Sequence, residues 1–249
     1  MPVETLPRSA ADDLARECVY RFLAAVAGGP YSDWGSALDA NDQDLAIDAA
    51  AWLFSGCDAF GRLAEELRAP REALRTQYDR VFGLVVPREC PPYETEYCPT
   101  EETFGRSQQM ADAAGFYRAF GIEPSRSSPE RPDHLVLELE FMAFLLTKKR
   151  LALGDEEAVP EAGERTDLCD RAGRDFFRDH LAWWVPAFAA GLRRKSQGGY
   201  LLALADVLAV WVQEECRRLD IIAVLRPVRP QLIERPEDQS GCAACPLLT

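Results

Sequence analysis

The sequence predicts an all-α protein, a compact single-domain bundle of about ten helices. Apolar residues return at three- and four-residue spacings through most of the chain, no segment alternates as a half-buried strand would, and no repeat period is present. The clearest signal is ERPDHLVLELEFMAFLL, Glu130 to Leu146, where Leu135, Leu139, Met142 and Leu145 form one apolar face. Pro132 suits the first turn of that helix, because a missing N–H costs nothing there. Ahead of the stripe stand Glu130, Arg131, Asp133 and His134, one of only two histidines.

In chain order, Ser9 caps a first helix that carries Leu14, Cys18, Phe22 and Val26 and ends at Gly28-Gly29-Pro30. A second runs from Asn41 to Phe54, with Leu45, Ala49, Trp52 and Leu53 on one side, and a short third covers Asp58 to Leu67. Pro70 opens a fourth whose face is Leu74, Tyr78, Val81 and Phe82. The following VPRECPPYETEYCP, Val86 to Pro99, has four prolines and reads as a long loop. Helical spacing resumes from Glu101 to Phe120 and stops at Gly121. Residues 122–133 read as a linker or hinge that could divide the bundle into two halves.

The Glu130–Leu146 helix extends to Lys148, Lys149 and Arg150, cations that suit a helix C-terminus. Gly154 to Gly163 reads as an acidic loop, and a further helix runs from Arg165 to His180. In HLAWWVPAFAAGL, Pro186 either kinks the chain or starts a new helix. Tyr200 to Leu219 is the last strong helix, with Leu201, Leu204, Leu208, Trp211, Val212 and Cys216 inward. Residues 1–225 therefore form the helical domain, and 226–249 a Pro-rich tail containing Cys242 and Cys245.

Composition excludes several functions. The 41 acidic and 28 basic residues leave a net charge of −13, which repels a phosphate backbone and attracts basic peptides. No nucleic-acid partner is expected. The first residues show no basic stretch leading into an apolar run, and no stretch is long and apolar enough to span a membrane, so neither export nor membrane integration is expected. The eight cysteines are scattered through a chain of 249 residues and are expected to be reduced in the cytoplasm.

Catalytic signatures are missing. The sequence has no phosphate-cradling GxxxxGK[ST], no GxSxG and no HExxH, and two histidines cannot make a three-histidine metal site. Both histidines sit in Asp-His-Leu triplets, where neighbouring helix side chains diverge by about 100°. His180 reads as a packing residue near Trp183 and Trp184; His134 is either a polar tether for the hinge or part of a ligand site. Cys242-x-x-Cys245 allows half a metal site, a redox pair or a plain tail, with Cys90 and Cys98 as further loop ligands.

Tyr78, Val81 and Phe82, the loop Pro91-Pro92-Tyr93-Glu94 and the Asp133-His134 turn together offer aromatic surface beside carboxylates. That suits a peptide with apolar residues and arginines. An ordinary helical core with an acidic rim would give the same pattern.

At these residues the chain resembles the TorD/DmsD/NarJ family of redox-enzyme maturation chaperones. The matches are YDRVF (Tyr78 to Phe82), PPYETEY (Pro91 to Tyr97), ERPDHLVLELEFMAFL (Glu130 to Leu145) and HLAWWVPAF (His180 to Phe188) followed by Tyr200, in the family's order. The resemblance implies an all-helical cytoplasmic chaperone, not an enzyme and without a cofactor of its own. It implies binding of the N-terminal twin-arginine signal peptide of a molybdoenzyme catalytic subunit until the molybdenum cofactor is inserted, which prevents premature export.

Carried over residue by residue, Asp133 and His134 match the family's hinge motif, and Tyr78, Phe82, Pro92, Tyr93 and Glu94 match its other recurrent binding positions. Asp133, Glu94 or Glu138 would face the client's arginines. Val81 departs from the family's usual leucine, and the tail lies outside the pattern. Phe104 to Gly121 resembles the branch serving dimethyl sulfide, selenate or ethylbenzene oxidoreductases. The alternatives are a non-exported apo-subunit as client and a metal- or redox-responsive protein using Cys242 and Cys245. A monomer and a homodimer are both compatible.

Overall fold

The structure is a computed structural model that describes residues 8–31, 40–54, 58–83, 89–98, 103–123, 130–154 and 162–222. Among these residues the regular elements are all helical. They are α1 (Arg8–Gly28), α2 (Ala40–Leu53), α3 (Asp58–Leu67), α4 (Arg71–Val81), a 3₁₀ turn (Glu94–Tyr97), α5 (Thr103–Ala119), α6 (Leu135–Gly154), α7 (Ala162–Phe176), a π turn (Phe177–Leu181), α8 (Val185–Lys195) and α9 (Gly199–Arg218). Residues 124–129 of the linker, and the tail with Cys242 and Cys245, lie outside the described residues.

Helix α6 is the axis of the bundle. Leu135, Leu139, Met142 and Leu145 are buried as their spacing predicts, and Phe141, Ala143 and Leu146 are buried as well. A helix apolar on more than one side needs cover on more than one side, and α1 and α7 supply it. Helix α9 packs on α8, α3 and α4 and also touches α1. Segments before and after residues 122–133 therefore pack directly on one another, so the linker does not separate two lobes.

Three local expectations change, and one open alternative, at Pro186, is resolved. Helix α6 starts at Leu135 rather than at Pro132, because the backbone of Asp133 and Leu135 bonds to the Pro92–Glu94 segment instead of to a first helical turn. Helix α2 buries Ala46, Ala49, Ala50 and Leu53, while Leu45 and Trp52 are 49% and 57% exposed. Small side chains let α2 approach α1 closely, and Trp52 turns outward to donate its indole N–H to Asp12 at 2.8 Å. Lys149 and Arg150 lie before the end of α6 and pair across helices, Lys149 with Asp13 and Asp170 and Arg150 with Glu17. Pro186 begins a new helix, and the turn before it is π rather than α.

A buried ion pair joins the first and last helices. Arg16 donates Nη2 to Glu215 at 2.7 Å and Nε at 3.0 Å, and the Tyr20 hydroxyl donates to the same carboxylate at 2.7 Å. Glu215 is fully buried, so its charge is tolerated only because all three donors converge on it. None of the described helices is long and apolar enough to cross a membrane. Replacing Glu215 with Ala should cost about 3–5 kcal/mol in urea unfolding by stranding Arg16, and the double change Arg16→Met/Glu215→Leu should recover most of it.

Candidate functional site

The loop after α4 is not a solvent-filled connection. Cys90, Pro91, Glu94, Thr95 and Tyr97 are buried, and Gly191 of α8 allows the loop to lie against it. A Cβ at Gly191 would come within 2.5 Å of the Glu89 carbonyl oxygen. Buried backbone needs partners, and residues 131–135 provide them. The Glu94 N–H donates to the Asp133 carbonyl and the Leu135 N–H to the Pro92 carbonyl, both at 2.9 Å, forming an antiparallel bridge between Tyr93 and His134.

The Asp133 side chain locks this bridge. Its Oδ2 accepts the Thr95 N–H at 3.1 Å and hydroxyl at 2.7 Å, while Arg131 donates Nε and Nη2 to its two oxygens at 3.0 and 2.7 Å. Arg131 also donates to Glu96 at 3.1 Å, and its guanidinium lies 4.3 Å from the Tyr93 ring centroid. One arginine thus joins the turn, the loop and an aromatic face, which a lysine's point charge could not reproduce. The Tyr117 hydroxyl donates to the Pro132 carbonyl at 2.8 Å, tying the turn to α5.

Glu94 is the second buried hub. Its carboxylate accepts Gln109 of α5 at 2.8 Å and the Trp183 indole N–H at 2.7 Å, and it lies 3.0 Å from His180 Nδ1. Burial raises its pKa, and His180 and the two donors hold it down. The π turn makes this meeting possible: the Ala182 N–H reaches back to the Phe177 carbonyl, and the Asp179 and His180 carbonyls take indole N–H groups from Trp183 and Trp184. His180 Nε2 lies 3.4 Å from Asp112. Single π turns of this kind recur at functional sites.

Glu138 is fully buried one layer deeper. It accepts the Trp184 indole N–H at 3.1 Å through one oxygen. Burial, then the nearby Glu94 charge, pushes its pKa well up, so Glu138 is held as a neutral acid. Glu94, Asp133 and Glu138 therefore spend their hydrogen bonds inside the protein in this structure.

What faces outward is aromatic. Tyr78 and Phe82 are half-buried with rings 4.8 Å apart, and Tyr31, 60% exposed, meets Tyr78 edge-on at 6.0 Å. Gly29 has φ +76°, and a Cβ there would fall 2.2 Å from the Tyr78 ring, so glycine is what lets this ring seat. Tyr93 packs edge-on against His134 at 5.0 Å and donates its hydroxyl to Glu130 at 3.3 Å. Burial, then the Asp79 and Glu130 charges, raise the Tyr78 pKa. The Glu130 charge thus acts on both aromatic groups. Pro92 is half-buried at the edge of the same loop.

His134 has its Nδ1 accepting the Val136 N–H at 3.2 Å, which places a neutral ring's proton on Nε2. Burial lowers its pKa below the ordinary 6.5, so it is neutral at pH 7. Arg131 was noted in the sequence as part of the charged cluster before α6, but Tyr31, Thr95, Gln109 and Trp183 were not singled out for this site. Among the described residues no group of three or more His, Cys, Asp or Glu side chains could hold a metal.

Among known proteins, the nitrate reductase delta subunit family matches residues 43–190. The chain is 38% identical over 162 residues to the selenate reductase assembly chaperone protein of Thauera selenatis, covering 61% of this chain and 79% of that one. It is 30% identical over 203 residues to the perchlorate reductase assembly chaperone protein of Dechloromonas aromatica, covering 78% and 85%. It is 34% identical over 147 residues to the chlorate reductase assembly chaperone protein of Ideonella dechloratans, covering 56% and 71%.

The buried acids make the site's stability depend on pH in a definite direction. A carboxyl whose folded pKa is raised above its ordinary 4.5 stabilises the fold below that value and loses this contribution as pH rises toward the folded pKa. Glu138→Gln, which keeps an acceptor for Trp184, should therefore flatten the decline in urea midpoint between pH 5 and pH 8. An unchanged slope would mean that Glu138 is not held neutral.

Proposed function

The chain belongs to the nitrate reductase delta subunit family, the TorD/NarJ family of assembly chaperones, and we propose that it matures a molybdoenzyme by holding the N-terminal segment of the catalytic subunit. The client's signal peptide lies on the aromatic ledge of Tyr31, Tyr78, Phe82, Pro92, Tyr93 and His134. The chain acts by reversible binding in the cytoplasm, without catalysis, until the molybdenum cofactor has been inserted.

The ledge carries this reading. Half-exposed aromatic rings and a neutral histidine offer apolar contact area, and Glu130 and Asp79 put carboxylates beside them. Tyr31 already donates its hydroxyl to Asp79 at 2.6 Å. Apolar side chains bind the rings, and a guanidinium finds surface carboxylates for paired hydrogen bonds. Glu94, Asp133 and Glu138 serve by holding the ledge in shape, because their oxygens are buried and directed inward.

His134→Ala and Tyr78→Ala should each weaken capture of the client's N-terminal peptide by about tenfold or more in calorimetry, at unchanged helix content. Unchanged affinity in both would remove the ledge from the binding site. Replacing both arginines of the client peptide by lysine should weaken binding strongly if they pair bidentately. Equal affinity would favour a client held through a segment without twin arginines.

A further inference from the structure

A second concave surface lies along α1 and α6 with α2 as its outer wall. The two long helices run antiparallel here, since Arg21 bonds Thr147 and Arg150 bonds Glu17. The groove extends from Cys18 and Thr147 at one end to Gly28 and Val136 at the other and encloses about 700 Å³. Ten residues of α1 make it about 15 Å long at 1.5 Å per residue. That is the length of about three turns of a docked helix.

Its apolar lining is Val136 and Phe144 on α6 and Leu45, 49% exposed, on α2, above a floor of buried Phe22 and Ala143, and Arg21 and Thr147 add polar lining at one end. Glu140 stands among them and makes no hydrogen bond or ion pair with any described residue. The opposite charge that acts on it is Arg21, which is already bonded to Glu17 and Thr147. On the rim, Asp42 lines the groove, and Asp44 and Asp48 are exposed on α2 beside Leu45. Helix α2 thus shows water an apolar residue flanked by acids, the complement of a basic amphipathic surface.

We propose that this groove is a docking site for an amphipathic helix of a partner chain, with apolar residues at i, i+3 or i+4 and i+7 against Phe22, Val136, Phe144 and Leu45 and a lysine or arginine paired with Glu140. Helices of this kind bind grooves between helices by such spacing. The inference goes beyond the aromatic ledge and does not depend on it. The groove's end at Gly28 and Val136 does abut the ledge, because Gly29 seats Tyr78 and Val136 is bonded to His134. A single client can therefore occupy both.

The test uses the full chain and two labelled synthetic peptides of about four helical turns, one alternating leucine ridges with lysine and the other with glutamate. Fluorescence anisotropy should show the lysine peptide binding and the glutamate peptide not. Glu140→Lys and Leu45→Asp, both at exposed positions, should each weaken the lysine peptide about tenfold or more. Glu65→Lys, an equal charge change on α3, should leave it within about twofold. Equal losses from Glu65→Lys and Glu140→Lys would show attraction to net charge alone and overturn the proposal, as would full affinity in both groove variants.

Discussion

The structure depends on burying two carboxylates of one irregular segment. Asp133 and Glu94 have no water around them, so each must meet its hydrogen bonds from the protein. Asp133 takes them from Thr95 and Arg131, and Glu94 from Gln109, Trp183 and His180. Through these two groups the loop after α4, the turn before α6, α5 and the π turn after α7 are fixed to one another, although their members lie as far apart in sequence as Glu94 and His180.

The energetics suggest what such groups are for. Desolvating a carboxylate costs several kcal/mol, and the interactions that replace water largely offset it, so each hub is near balance. It adds little net stability. It does penalise every arrangement in which one donor is displaced, since a buried charge would then be under-satisfied. The effect is to give the backbone at Tyr93 and His134 a single conformation, so the outward rings are presented in one geometry. Affinity for a peptide improves when the surface need not be ordered on binding.

The helices were legible because each buries a face at helical period, and α6 stood out because its stripe is uninterrupted. The face of α2 was misread because pattern reasoning weighs leucine and tryptophan above alanine, whereas close approach to α1 selects Ala46, Ala49 and Ala50. The start of α6 was misplaced because Pro132 favours a first turn locally, while the pairing with Pro92 and Glu94 is a long-range constraint. Apart from Tyr31, the residues of the ledge were visible as aromatics near acids. Their division into outward rings and inward carboxylates was not, because Glu94 and His180 carry no mutual signal over their separation and a π turn has no spacing of its own. The consecutive Trp183 and Trp184 were the available hint, since buried indoles need acceptors.

The central claim is that Asp133 and Glu94 preorganise the ledge, and amide hydrogen exchange tests it most directly. The N–H groups of Glu94, Thr95 and Leu135 should exchange slowly in the free protein, at rates little changed when the client's N-terminal peptide is bound, and should become fast in Asp133→Ala. Fast exchange in the free wild-type protein that turns slow only with peptide bound would contradict the claim, because the segment would then be ordered by its client.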